Sequence, residues 1–147
     1  NEALFTRVEA IRLEAGLRMG LGDVSGKVIP KVGLLAAPVN GGDIRSIYLT
    51  PWRAHAAHAV TGALCVAAAS AIDGTIAHSL MTPPVDANIR TVRLEHPSGQ
   101  IAIKLATTGA GADLNVIKAG VIRTARLIMR GEVMIPAETI ESATLAA

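Results

Sequence analysis

Aromatic residues are scarce in this sequence, which limits what the chain can do. Phe5, Tyr48 and Trp52 are the only three in 147 residues, although half of the chain is hydrophobic. The apolar residues are therefore mainly Ala, Val, Ile and Leu, whose side chains suit close packing. Aromatic platforms for stacking bases are lacking, and the Lys and Arg residues are scattered, with a formal net charge of +2. Nucleic-acid binding is thus unsupported, while a small anionic ligand fits the basic residues as well as plain solubility does.

Cysteine is almost absent as well. Cys65 is the only one, so no disulfide can form within the chain, which is typical of a cytoplasmic protein. It lies in an apolar run, and we therefore expect an inert core side chain rather than a nucleophile. The sequence shows no secretory signal. It opens on Asn1 without an initiator Met, which we interpret as a fragment or a processed chain.

Charge is missing from one long stretch. The segment Ala54–Ile72 contains no Asp, Glu, Lys or Arg. A membrane span is one interpretation, but Ala is only weakly apolar. Polar or flexible residues also interrupt the run, namely His55, His58, Thr61, Gly62 and Ser70. Because a helix that is apolar on every side is typical of a buried helix, we expect a helix over Pro51–Ile72 that strands wrap closely, and no membrane association.

The clearest pattern that is present covers Ile89–Thr107. Two runs of alternating residues flank the four residues 96–99 (HPSG). A period of two is typical of half-buried strands, and Pro97 and Gly99 suit positions i+1 and i+3 of a type I turn. The stretch predicts a β-hairpin with Ser98 at its tip. Two interpretations of the tip stay open: it only closes the hairpin, or Ser98 and the neighbouring N–H groups form an anion-binding corner.

Other periodic segments predict a further helix and more strands. The helix is expected over Asn1–Met19, capped by Asn1, with one apolar face formed by Leu4, Val8, Ile11, Ala15 and Met19. Strands are expected at Lys27–Pro38, at Ile44–Leu49 paired with it, at Thr75–Met81 before a breaker at Thr82-Pro83-Pro84, and twice within Leu114–Ile135. These elements predict an α+β fold, a single domain over residues 1–147 in which an antiparallel sheet is rolled around the central Ala-rich helix.

The start of the Ala-rich helix is a candidate site. His55 and His58 stand at i and i+3, but no further ligands at metal-binding spacing accompany them, so a metal site is not expected. Free N–H groups and the positive dipole end of a helix attract carboxylates, and Thr61-Gly62 would let a ligand approach closely. An ordinary helix start with solvated histidines explains the same residues equally well, and both interpretations stay open.

Three stretches carry a resemblance to a known family. They are residues 55–63 (HAAHAVTGA), Glu95–Gln100 (EHPSGQ) followed by IAIKL, and Arg123–Val133 (RTARLIMRGEV). With these stretches, the run Lys31–Pro136 resembles the second half of the PrpF family, which has the diaminopimelate-epimerase-like fold. The HPSG sequence between two strands is the more specific of these signals, because Ala-rich helices are common.

The resemblance implies both an activity and an architecture. Members of the family are cofactor-independent isomerases of small unsaturated di- and tricarboxylates, including 2-methylaconitate cis-trans isomerase, methylitaconate Δ-isomerase and 4-oxalomesaconate tautomerase. Two similar domains, each a sheet around a helix, enclose the active site. This chain would be the C-terminal half, and residues 132–147 would belong with the N-terminal half. Its partners would be a polycarboxylate substrate and that N-terminal domain; the chain alone would be inactive, and a homo-oligomer stays open.

The same resemblance implies roles for individual residues. Ser98 is the catalytic candidate, while a Lys and a Cys in the first half of the family are thought to move the proton. The chemistry of the residues themselves, apart from the resemblance, assigns binding of the substrate carboxylates to Gly99, His58, Thr61, Gly62 and Arg53. Two alternatives stay open. An epimerase or racemase of the same fold would need a cysteine where Ala59 stands, and a non-catalytic carboxylate-binding module would use the fold without the chemistry.

Overall fold

Five strands and three helices make up the part of the chain that the structure describes. The computed structural model describes residues 1–81 and 88–136. The elements are α1 (Glu2–Arg18), β1 (Val32–Ala36), β2 (Ile44–Leu49), α2 (Val60–Ala69), α3 (Ile76–Leu80), β3 (Ile89–His96), β4 (Gly99–Thr108), a short 3-10 turn (Gly111–Asp113) and β5 (Asn115–Ile122). No helix within these described ranges has the length and apolar character needed to cross a lipid bilayer.

The strands form one sheet in the order β1-β2-β3-β4-β5. Three of the four neighbouring pairs are antiparallel, and β2 lies parallel to β3 through Ile44↔Leu94 and Arg45↔Glu95. A parallel pair needs a long crossover connection, and here the crossover carries α2 and α3. The predicted α+β class, with a mainly antiparallel sheet against an Ala-rich helix, is confirmed.

The core lies between one face of the sheet and α2, which packs against β3, β4 and β5. Ala63 and Ala67 of α2 are fully buried, and they contact a layer of sheet residues. These residues are Ile44, Val92, Leu94, Ile101 and Ile103. Because an Ala side chain is a single methyl group, the helix axis can lie close to the strands, and the fit is sensitive to added volume.

The helix α2 is shorter and less enclosed than the sequence predicts. It begins at Val60 instead of Pro51, because residues before it form a loop held to β2 by the backbone N–H of His55, which donates to the Tyr48 carbonyl at 2.8 Å. The prediction that Cys65 is a core side chain is wrong, because Cys65 is exposed.

The predicted hairpin is confirmed in detail. Strands β3 and β4 pair continuously from Ile89↔Ala106 to His96↔Gly99, so that Pro97 and Ser98 alone form the turn. The predicted alternation holds at Val92 and Leu94, which are both fully buried. Gly99 has φ +142°, a conformation that residues with a side chain rarely adopt, which explains why glycine follows the turn.

The first helix forms as predicted, but it buries another face. The Asn1 side chain caps it by accepting the Leu4 N–H at 3.2 Å. Its buried residues are Val8, Arg12 and Gly16, because this stripe packs against the segment that follows the helix. The predicted apolar face is therefore wrong in part: side chains such as Ile11 and Met19 are mostly exposed.

Two predicted strands are wrong. Thr75–Met81 forms α3, because the Thr75 side chain accepts the His78 N–H at 3.1 Å and thereby caps a helical turn. Within Leu114–Ile135 only β5 forms; residues 123–136 adopt neither helix nor strand, and their apolar side chains, Ile128 among them, are exposed. A β-prone run forms a strand only beside a partner strand. The predicted breaker at 82–84 and the tail after 136 lie outside the described residues.

Candidate functional site

The hairpin turn and the start of α2 lie beside the same strand, β2. Strand β2 pairs with the end of β3 through Ile44↔Leu94 and Arg45↔Glu95, and Ser46 is the next residue of β2. The Ser46 hydroxyl is fully buried and lies 2.9 Å from Nε2 of His58, two residues before α2. Strand β2 thereby links the Ser98 hairpin to the start of the helix.

His58 is a buried, neutral imidazole whose two nitrogens are both occupied. Its Nδ1–H donates to the carbonyl of Ala59 at 2.9 Å, so Nε2 accepts the hydroxyl proton of Ser46. Burial is the main effect that lowers the pKa of His58; the hydrogen bond to the Ala59 carbonyl opposes it, and electrostatic interaction with His96 and His55 lowers the pKa further. Because both nitrogens bond within the chain, the geometry favours a positioning role for His58.

Gly62 lies where a side chain cannot fit. A Cβ at this position would lie 2.4 Å from Cε2 of Tyr48 and 3.2 Å from Cε1 of His58. The Tyr48 ring packs against the His58 ring with centroids 5.1 Å apart. Sequence reasoning assigned this glycine to close ligand approach, whereas the structure shows neighbouring rings on the side where its Cβ would lie. Thr61, the adjacent residue, is exposed in the first turn of α2.

The amino end of α2 has no side-chain cap. Its N-cap residue is Ala59, which makes no capping hydrogen bond from its side chain. The first N–H groups of a helix have no partner within the helix, and the helix dipole gives this end partial positive charge. Since a methyl group cannot accept their protons, the N–H groups around Thr61 can bind a carboxylate from outside.

Ser98 is exposed at the hairpin tip, and its neighbour His96 is the residue that sequence reasoning missed. Nδ1 of His96 accepts the backbone N–H of Ser98 at 3.3 Å and lies 3.3 Å from Ser98 Oγ. The spacing of His96 and Ser98 could have predicted this contact, because a side-chain acceptor two residues before a backbone N–H is typical of turns. Electrostatic interaction with His96 is also one of the causes that lower the pKa of His58.

Arg53 lies in another concavity. It lines a pocket of about 370 Å³ together with Thr50, Ala54, His55 and Ala56, and the hairpin residues are not among those lining it. Its carbonyl accepts the Thr50 N–H at 2.9 Å, while its side chain is exposed. His55 connects this pocket to the histidine region, since its ring lies edge-on to Tyr48 with centroids 6.3 Å apart.

The described residues contain no group of three His, Cys, Asp or Glu side chains that could hold a metal ion. The groups described at this site are hydroxyl, imidazole and backbone N–H groups. Such groups donate hydrogen bonds to negative charge, and an imidazole can also exchange a proton near neutral pH.

Comparison with known proteins identifies the family. The model of the family described as PrpF protein matches residues 1–136. The chain belongs to the PrpF family. This result confirms the resemblance seen in the sequence, while the position of the chain within a complete PrpF protein stays a prediction.

Named relatives are 41% identical to this PrpF chain over the aligned residues. A 4-oxalomesaconate tautomerase of Pseudomonas putida is 41% identical over 140 residues, which cover 95% of this chain and 37% of the relative. A (4E)-oxalomesaconate Delta-isomerase of Novosphingobium sp. (strain KA1) is 41% identical over 135 residues, covering 92% and 37%. The chain thus spans just over a third of the length of the curated relatives it matches.

A solved structure supports the fold. The crystal structure of methylitaconate-delta-isomerase superimposes with a TM-score of 0.63 at 20% sequence identity, over 83% of this chain and 38% of that one. At this identity the likeness concerns the fold alone. It confirms the diaminopimelate-epimerase-like fold that the PrpF resemblance implies.

Proposed function

We propose that this chain supplies part of the active site of a cofactor-independent isomerase or tautomerase. The substrate would be a small unsaturated di- or tricarboxylate of the 4-oxalomesaconate or 2-methylaconitate type. The observation that carries the proposal is the buried hydrogen bond between Ser46 and His58, which attaches the loop before the uncapped start of α2 to β2, the strand that pairs with the end of β3 next to the Ser98 turn, in a chain of the PrpF family. The names of the 41%-identical relatives support the substrate class.

The reaction would move one proton and one double bond. A base removes an allylic proton made acidic by a neighbouring carboxylate or keto group, the electron pair shifts along the carbon chain, and a proton returns at the far carbon. Substrate and product are isomers, so nothing is oxidised or reduced. The enolate-like intermediate needs hydrogen-bond donors, which Ser98 Oγ–H and the neighbouring backbone can supply.

The remaining site residues would bind the substrate. The N–H groups of α2 around Thr61 and Gly62 would hold one carboxylate. The guanidinium of Arg53, at the edge of the site, would bind a further carboxylate. His58 would act indirectly, by fixing the start of α2 through Ser46. The main acid and base groups would come from the N-terminal domain, with which residues 132–147 would associate. A cytoplasmic location and the absence of a cofactor stay predictions.

Two variants of the complete protein test this proposal. Removing one donor to a developing oxyanion costs about 10²- to 10³-fold in rate, and we expect Ser98→Ala to lower kcat for 4-oxalomesaconate or 2-methylaconitate by a factor of this order. Ser79→Ala is the matched control, because Ser79 is exposed on α3 and bonds only its own helix among the described residues. Unchanged turnover by Ser98→Ala would favour a non-catalytic carboxylate-binding module.

A second measurement tests whether catalysis needs both this chain and the N-terminal domain. We expect residues 1–147 alone to show no measurable isomerisation, because the proposed acid and base groups lie in the other domain. Isomerisation by this chain at the rate of the complete protein would contradict the shared site. Racemase activity would contradict the reaction type, since Ala59 provides no thiol at the start of α2.

A further inference from the structure

Glu95 is a buried carboxylate that binds a loop instead of a cation. It is 2% exposed, and its two oxygens accept three backbone N–H groups of the β1–β2 loop. The distances are 2.8 Å from Val39, 2.5 Å from Asn40 and 2.9 Å from Gly42. These hydrogen bonds, that of Val39 first, lower the pKa of Glu95 below its usual range, so the carboxylate is charged at neutral pH.

Gln100 binds the same loop from the opposite strand. It pairs directly with Glu95 across β3 and β4, and its Nε2 donates to the Asn40 carbonyl at 2.8 Å. The two peptide groups of Asn40 are thus held by two side chains, one accepting its N–H and one donating to its C=O. Glu95 and Gln100 are also the next pair of the ladder after His96↔Gly99, the pair that closes the two-residue turn.

The loop fits tightly against β3. A Cβ at Gly42 would lie 2.5 Å from Cγ of Glu95 and 3.0 Å from the Arg93 carbonyl oxygen. Asp43 extends the contact, because its N–H donates to that carbonyl at 2.8 Å and its carboxylate accepts the Arg93 N–H at 2.7 Å. The end of β3 is therefore fastened to a neighbouring loop up to the residue before His96.

The tip of the hairpin has little of its own to hold it. Ser98 is exposed, and in residues 1–81 and 88–136 its side chain has a hydrogen bond only to His96 of the same turn. The position of Ser98 relative to α2 must then depend on the residues at the base of the turn. Of these, Glu95 makes the most hydrogen bonds to another element.

We propose that Glu95, together with Gln100, is a positioning residue of the isomerase: it fixes the turn that presents Ser98 to the substrate without touching the substrate. This inference rests on the proposed function and deepens it. Misplacing a catalytic group by about 1 Å can cost on the order of 100-fold in rate. A more mobile turn would therefore lower kcat even when the protein stays folded.

The test is a double-mutant cycle in the complete protein. Glu95→Gln replaces one accepting oxygen by an NH₂ group that faces backbone donors, and we expect it to lower kcat about 10-fold or more. In the Ser98→Ala background the same change should leave the residual rate as it is, because no serine remains to be misplaced.

Gln100→Ala is the milder variant, which loses one hydrogen bond and should show a smaller effect of the same kind. Asn40→Ala is the control, since only the backbone of Asn40 makes these contacts.

Hydrogen exchange gives a second readout that does not depend on activity. In Glu95→Gln we expect faster amide exchange in the peptide containing Ser98 and Gly99, as well as in the 39–42 loop. Faster exchange confined to the loop would overturn the inference, and so would an equal loss of kcat in the two backgrounds, which indicates a general loss of folded protein. If Ser98→Ala retains the full rate, the proposed function fails by itself, and the exchange result still decides whether Glu95 fixes the turn.

Discussion

Ser46 and His58 share a buried hydrogen bond of 2.9 Å between Oγ and Nε2. It joins the middle of β2 to the loop just before α2, a helix whose N-cap residue, Ala59, offers no side-chain acceptor. Because His58 also donates from Nδ1 to the Ala59 carbonyl, its ring contacts the N-cap residue of the helix through one nitrogen and the sheet through the other. The start of α2 is thereby set by a tertiary contact.

The first prediction concerns this hydrogen bond. Ser46→Ala leaves Nε2 of a buried histidine without a partner, and we expect the free energy of unfolding to fall by about 1–3 kcal/mol. His58→Ala should cost at least as much, because it also removes ring packing against Tyr48. The double variant should cost less than the sum, since each change already removes the shared bond. Urea unfolding measures all three, and strictly additive losses would contradict the interaction.

The pH dependence of stability follows from the lowered pKa of His58. Folding favours the neutral ring, so its contribution to stability is fully present above the unfolded-state pKa of about 6.5. It is lost as the pH falls from there through the lower folded-state pKa, because the unfolded chain then binds the extra proton. We expect a larger loss of melting temperature between neutral and mildly acidic pH for the wild type than for His58→Gln. The difference between the two proteins isolates His58 from His55 and His96, and parallel profiles would refute the prediction.

Gly62 provides a steric prediction. An alanine there would place Cβ 2.4 Å from Cε2 and 2.8 Å from Cδ2 of Tyr48, and Tyr48 is itself buried. Overpacking of this kind costs about 1–3 kcal/mol, and we expect Gly62→Ala to lower the melting temperature accordingly. Gly120→Ala is the matched control, because among residues 1–81 and 88–136, its own chain neighbours aside, no heavy atom lies within 4 Å of a Cβ at that position. Equal melting temperatures for the two variants would mean that the space at Gly62 is not restricted.

The hairpin could be predicted because its information is local. The alternation of β3 and β4, the turn residues between them and the partner of each strand all lie within residues 89–108. The pairing of β1 with β2 across residues 40–43 is predictable for the same reason. In both cases the strand and its partner are neighbours in sequence, so no distant contact has to be known.

The start of α2 could not be predicted, because a stretch rich in Ala and His fits a helix and a loop alike. The hydrogen bond between His58 and Ser46 of β2 determines where the loop ends and the helix begins. The helix α3 is different: Thr75, three residues before His78, is a residue type that caps helices, but a helix of five residues is too short to show a helical period in the sequence. Residues 123–136 have strand-like composition without a neighbouring strand in the described chain.

For the site, the sequence singled out the Ser98 tip but not the residues that support it. Glu95 occupies a position that the alternation assigns to the outer face of β3, yet it is buried because three N–H groups of a loop more than fifty residues earlier surround it. His96 was likewise overlooked. The roles of Ser98 and of the carboxylate-binding residues stay predictions that the variants above test.

The last prediction compares two arginines of α1, Arg12 and Arg18. Each forms an ion pair with a glutamate of the same helix, but Arg12 is buried and Arg18 is exposed. Arg12 is 1% exposed, pairs with Glu9 at 2.7 Å, and donates to the carbonyls of Val24 and Ile29, the former at 2.9 Å. Its removal leaves those carbonyls without their donor, so Arg12→Ala should lower the free energy of unfolding by about 1–3 kcal/mol.

Arg18 is the matched control on the same helix. It pairs with Glu14 at the same 2.7 Å, but the two side chains are 79% and 58% exposed. Exposed ion pairs contribute between zero and about 1 kcal/mol, so Arg18→Ala should remain close to wild type in the same urea titration. High salt should weaken the small Arg18 contribution and leave the Arg12 loss largely unchanged, because buried groups are screened less. Equal losses for the two variants would show that the attachment of residues 20–30 to α1 does not depend on Arg12.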